Sequence, residues 1–290
     1  MTIRDRIAEA NADVAATHDD ATPKRSLATR LNLGDNALRV VAGLVLLYLF
    51  LPIFVIILFS FNKPTGKFNY TWRGFTLENW ADPFKYPALT EALKLSLSIA
   101  AVSTLIALVL GTLVAIALVR QRFRGSRAVD TFLVLPLTAP EVVMGASLLT
   151  LFLDLNWAAG YTTILIAHVA FEVSFIAMTV RARVRGFDWT LEDASMDLGA
   201  SPTRTFFRVT LPLIVPGIVA AAMLSFALSL DDFIITYFVS GSTTTYPLYV
   251  NAAVKAAVPP QINVLATAIL LISLLLLAVG TLYRRKRIDT

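Results

Sequence analysis

The chain reads as an all-α integral membrane protein with six transmembrane helices. Three observations carry that reading. Hydrophobic residues make up 57% of the 290, and the mean hydropathy of +0.70 lies far above soluble usage. The apolar residues gather in runs of about 20 or more, the length a helix needs to cross ~30 Å of hydrocarbon. Most Lys and Arg lie in the short segments between those runs, where they read as topology signals. All spans are taken as helices, because a lone open strand leaves its backbone unsatisfied in lipid.

In chain order, residues 1–36 form a mixed-charge leader with Glu9, Asp13, Asp19, Asp20, Lys24 and Arg25. It lacks the short basic start and small-residue cleavage site of a secretory signal, so it reads as a flexible cytoplasmic tail. The transmembrane domain is 37–290, with spans near 38–60, 93–119, 131–153, 161–182, 211–238 and 262–283. Basic residues before span one, between spans two and three (Arg120, Arg122, Arg124, Arg127), between four and five (Arg181 to Arg208) and after span six share one side. The positive-inside rule then puts both termini in the cytoplasm, as an even span number does. Outside, residues 61–92 are rich in aromatics suited to the membrane interface. The 239–261 segment, with Gly241, Pro247, Pro259 and Pro260, is irregular or re-entrant.

Several chemistries are excluded or disfavoured. No cysteine is present, so disulfides and thiolate chemistry are out. The net charge of +5 sits at span ends, which argues against nucleic acid. Two histidines cannot supply a normal zinc ligand set, so no metal site is expected. No catalytic residue is nominated.

Spans four and five are separated by a polar insert at about 186–212. Thr190 with Asp193 three residues on fits a capping-box start. Gly199 suits the left-handed position that ends a helix, and Ser201-Pro202 opens a second one. Leu191, Ala194, Ser195 and Leu198 share a face at helical spacing. The expectation is a helix–turn–helix outside the membrane; a well-capped connector is the plainer alternative.

Glu141, Glu172, Asp231 and Asp232 fall within spans, with no Lys or Arg at comparable depth. A charge at the bilayer centre costs at least ~2.5–3.5 kcal/mol, so each needs a partner or a wet cavity. An acidic lining without matching bases suits a cationic passenger. Ser225, Ser229, Asp232 and Thr236 recur at helical spacing as one polar stripe, which turns Asp232 toward a path and Asp231 about 100° away. Two readings of Asp232 stand: contact with cargo or gate, or a structural ion pair. For Asp231 the ion pair leads. Glu172 lies one turn from His168, as a bundle-stabilising pair or a ligand contact. Glu141 follows Pro136 and Pro140, beside a kink that serves gating or only packing.

The insert resembles the cytoplasmic coupling motif of ABC importer permeases: E-A-A, three residues, G, nine residues, I-x-L-P. Asp193-Ala194-Ser195 stands at E-A-A, Gly199 at the glycine, and Val209-Thr210-Leu211-Pro212 at I-x-L-P. Asp, Ser and Val replace Glu, Ala and Ile. Phe75 to Trp80 resembles an outer-loop sequence of that family. Leu228 to Phe233, Tyr246-Pro247-Leu248 and Ile262 to Thr267 resemble its polyamine branch, the spermidine/putrescine permeases.

The resemblance implies a type I importer permease in a bacterial inner membrane. Its partners would be a second permease, two ATPase subunits and an external substrate-binding protein. Coupling to the ATPase falls on Asp193, Ala194, Ser195, Gly199, Leu211 and Pro212. The chain has no G-x-x-x-x-G-K-[ST] loop, so no cofactor is expected on it, and ATP and Mg belong to the partner ATPase. An importer for another small solute, a ferric or amine-bearing phosphonate ligand, is the alternative within the class. An intramembrane aspartyl protease is the remote one: it needs two aspartates on facing helices, and Asp231 and Asp232 are adjacent.

Overall fold

The computed structural model describes residues 33–121 and 124–286, with side chains over 37–121 and 124–275. Most of the leader expected over 1–36 lies outside the described residues. The chain divides into two units at Ile56 and Ile57. The first supplies most of helix α1 (Leu33–Ser60), and the second everything after it.

The described residues fold as helices joined by short irregular segments. After α1 come α2 (Glu78–Ala81), α3 (Pro87–Arg120), α4 (Ser126–Thr138), α5 (Glu141–Asp154) and α6 (Tyr161–Val184). The insert holds α7 (Thr190–Asp197) and α8 (Pro202–Thr205). A π-turn, Phe206–Thr210, joins α8 to α9 (Leu211–Asp231), followed by α10 (Ile234–Val239), α11 (Tyr246–Ala256) and α12 (Pro260–Lys286).

Four helical stretches are long and apolar enough to cross a membrane alone: Ala37–Ser60, Pro87–Arg120, Tyr161–Val184 and Pro202–Asp231. The expected third span is not one helix. It breaks into α4 and α5, bent by 109° at Ala139-Pro140, and counts as a fifth crossing only if the pair is one span. Pro140 removes a backbone donor, and Ala139 before it is pushed to the extended conformation that ends α4. The expected sixth span falls on α12, whose apolar stretch with described side chains, Pro260–Leu275, is shorter than the others.

The fifth span also departs from expectation. A helix over 211–238 was predicted, but α9 stops at Asp231; Asp232 is extended, and a new helix starts at Ile234. Ser225, Ser229, Asp232 and Thr236 therefore do not lie along one continuous helix.

The core is built on α3 against α6. Ala100, Ala107, Ala115 and Ala177 are buried along the pair, and small side chains let helix backbones approach in lipid. At Gly111 a Cβ would stand 2.9 Å from the Val173 carbonyl oxygen, so only glycine fits that crossing. Val180, Val184 and Ile214 continue the core into the start of α9.

On the 61–92 side, Asn62 organises the loop. Its amide donates to Asn69 Oδ1 at 2.7 Å and to the Thr71 carbonyl, and its oxygen accepts from Arg73 N–H. Asn79 donates to the Ser60 and Asn62 carbonyls. A backbone hydrogen bond from Val258 to Lys67 of 2.9 Å ties this loop to the segment before α12.

Candidate functional site

Two sites emerge within the spans, and they share the Asp231-Asp232 step. The first is a buried polar cluster between α3, α6, α9 and α10. His168 on α6 sits at its centre, with Nδ1 2.7 Å from Ser229 Oγ and Nε2 2.9 Å from Thr236 Oγ1. Asp232 Oδ2 lies 3.4 Å from Nε2 and accepts from the Thr236 N–H at 2.8 Å and its hydroxyl at 2.7 Å. Asp232 thus caps the first turn of α10, satisfying a donor that the helix start leaves open. Ser103 of α3 donates to Glu172 Oε1 at 2.9 Å and lies 3.2 Å from Ser229 Oγ. Glu172 and His168 therefore belong to one network but are bridged through serines, not bonded as the direct pair expected. Glu172 Oε2 and Ser225 Oγ, both buried, have no hydrogen-bond partner among the described residues.

The second site is a cavity of about 630 Å³ between α4, α5, α6 and the break after α9. Glu141, Asp231 and Asp232 line it, beside Phe171, Phe175 and Phe233. A continuous helix would set Asp231 and Asp232 about 100° apart, but both line this cavity. Asp231 is exposed, while the Asp232 side chain is only 7% exposed and held by His168. Because α9 ends between the two, the usual 100° offset along a helix no longer sets their directions. Of the substrate-path candidates, Glu141, Asp231 and Asp232 line the cavity. Ser229, Thr236 and Glu172 join Asp232 in the buried cluster, and Ser225 is buried one turn from Ser229.

The insert forms its turn with the expected residues at two points. Gly199 has φ +86°, and Ser201 Oγ accepts from Arg204 N–H with Pro202 in the first turn. The capping box does not form. Asp188, unremarked in the sequence reading, accepts from both the Thr190 N–H at 3.1 Å and the Thr190 hydroxyl at 2.8 Å, which leaves Asp193 exposed. Leu198 is 90% exposed, and Ser195 hydrogen-bonds Thr205 across the turn at 3.1 Å. Ala194 is exposed with Leu198, and Leu211 and Pro212 follow the π-turn at the start of α9.

Sequence reasoning also missed Glu192. It is buried, 2.9 Å from Arg120 Nη2 at the end of α3, and accepts from the Thr210 hydroxyl. Its sequence signal was slight, a carboxylate next to Leu191 and about 100° from it around the helix. Similarly, Arg181 of α6 makes a two-pronged pair with Asp130 of α4, one contact at 3.1 Å.

Residues 107–286 match the family described as binding-protein-dependent transport system inner membrane component. The putrescine transport system permease protein PotI of Escherichia coli K12 is 41% identical over 231 residues, 77% of this chain and 82% of that protein. The spermidine/putrescine transport system permease protein PotC of Haemophilus influenzae is 38% identical over 240 residues, 82% and 93% of the two chains. Among solved structures, a chain of a bacterial ABC transporter that imports the acidic polysaccharide alginate superposes with a TM-score of 0.61 at 17% identity, covering 91% of this chain and 99% of that one. A chain of the inward-facing MetNI methionine ABC transporter gives 0.57 at 17% identity, covering 68% and 95%. At that identity the two superpositions speak for the fold alone. With its helical core, its broken spans and more than half its length matched, the chain belongs to the binding-protein-dependent transport system inner membrane components.

Proposed function

We propose that this chain is a permease subunit of an ATP-driven importer for putrescine or spermidine. The observation that carries the reading is the cavity in which Glu141 and Asp231 meet three phenylalanines, with no Lys or Arg among its lining residues. A polyamine is a string of ammonium groups on an apolar stem. Carboxylates accept charge-assisted hydrogen bonds from the ammonium groups, and aromatic faces attract cations and cover methylenes. The names of the relatives support the same cargo. An anionic ligand finds no complementary charge there. The protease alternative gains nothing, since Asp231 and Asp232 are adjacent in the chain and do not come from facing helices.

On this reading six spans place both termini in the cytoplasm, with residues 1–36 as a tail. The insert docks on an ATPase through Asp193, Ala194, Ser195, Leu198 and Gly199. A second permease, two ATPase subunits and an external binding protein complete the assembly. ATP and Mg act on the ATPase, and no cofactor or covalent step is assigned to this chain.

The test is labelled putrescine uptake by the whole transporter in proteoliposomes. Losing a charge-assisted hydrogen bond is worth about 1.5–3 kcal/mol, so Asp231→Asn is expected to cut uptake roughly 10- to 100-fold. Competition by spermidine but not by a phosphonate is expected as well. Unchanged uptake in both Asp231→Asn and Glu141→Gln, with normal assembly, overturns the assignment of the cavity.

A further inference from the structure

We propose that Glu192 is a positioning residue that locks the insert to the second and fifth spans, so that they move as one body. The proposal rests on the reading that the insert docks on an ATPase. It concerns what happens on the other side of that insert.

One carboxylate joins three segments. Glu192 lies on α7; one oxygen pairs with Arg120 at 2.9 Å, in the last turn of α3. The other accepts from Thr210, the last residue of the π-turn that leads into α9. The Glu192 side chain is only 5% exposed, so its carboxylate depends on these two partners more than on water. Arg120 is held from a second direction, with its guanidinium 5.7 Å from the centre of the Trp189 ring. Trp189 and Phe187 pack in turn on the core around Val180, Val184 and Ile214. Asp193 and Leu198 are exposed, so the insert offers surface to a partner while Glu192 anchors it from within.

The anchor points are well placed to pass a displacement on. A π-turn carries one residue more than an α-turn, a local irregularity often found at functional positions. Thr210 pins its end to the insert. Arg120 terminates α3, which crosses α6 so closely at Gly111 that a Cβ there would meet the Val173 carbonyl oxygen at 2.9 Å. A push on α7 therefore reaches α9 through Thr210 and the α3–α6 pair through Arg120. The α3–α6 pair carries Ser103, His168 and Glu172 of the buried cluster.

The test uses the complete transporter in proteoliposomes. The chain has no cysteine, so Thr190→Cys and Lys94→Cys introduce two spin labels, one on the insert and one toward the far end of α3. The inter-label distance is expected to stay narrow and unchanged between the nucleotide-free state and the state with ATP trapped. Glu192→Gln is expected to broaden or shift it, with Thr210→Val, which removes only a hydroxyl, giving a smaller change. In unlabelled transporters, putrescine moved per ATP hydrolysed should fall about tenfold in Glu192→Gln, equivalent to ~1.4 kcal/mol of coupling. A label distance that changes in the wild type, or that stays narrow in both variants, overturns the proposal. So does a fall in uptake matched by an equal fall in ATP hydrolysis. The label measurement is independent of the cargo: a wild-type transporter that does not move putrescine counts against the substrate reading and leaves the distance outcome standing.

Discussion

Two buried glutamates are held by different means. Glu192, where the insert meets the spans, has a guanidinium whose own side chain is 46% exposed. Glu172, between spans, is fully buried and is met by the Ser103 hydroxyl within a network of serines, a threonine and one histidine. Depth accounts for the contrast. Near the helix ends an arginine can pair with a buried acid while keeping part of its head in water. Deeper in, a guanidinium would need its own desolvation offset, and small hydroxyls supply hydrogen bonds without adding charge. An arginine therefore fixes geometry at the edge, and hydroxyls keep a carboxylate available in the interior.

The largest effect should come from breaking the edge pair on the basic side. Arg120→Ala leaves Glu192 buried without its counter-charge. The loss should fall toward the low end of ~3–5 kcal/mol, because water follows into the half-exposed site. Thermal unfolding in detergent measures it, and a variant as stable as the wild type would remove the contrast. His168→Ala comes next. It strips partners from Ser229, Thr236 and Asp232, with an expected cost of about 1–3 kcal/mol for unsatisfied buried groups. His168→Gln should restore part of that in the same unfolding measurement. Ser103→Ala should be smallest, about 1 kcal/mol, the low end of the cost for a single buried acceptor left without its donor. If it costs as much as Arg120→Ala, the interior network is a structural clamp and the comparison fails.

Much of the architecture was legible in the sequence, because apolar run length and the scarcity of charge are strong local signals. Gly199 and Ser201-Pro202 marked the turn of the insert for the same reason: their backbone preferences act without distant help. The break after Asp231 was not legible. Leu228 to Thr236 has no proline or glycine, and its local pattern is helical. The helix stops there because Asp232 is drawn to Thr236 and to His168, which comes from another helix. The polar residues of the stripe do gather, but around a histidine and not along one helical face. Glu192 was missed for a related reason. Its partner Arg120 is remote in the chain, and the adjacent Asp193 matched the expected capping pattern.

The contact between Gly145 and Phe238 carries a mechanical consequence. A Cβ at 145 would come within 2.7 Å of the Phe238 ring, so α5 and α10 meet with no slack. Each of these short helices follows a break: α5 comes after the 109° bend, and α10 after the extended Asp232. Two interrupted segments are thus keyed together like a single leaf hung on two pivots. Glu141 sits at one pivot and Asp231 beside the other. A small swing of that leaf would alter the spacing of the two carboxylates without unwinding a turn of helix.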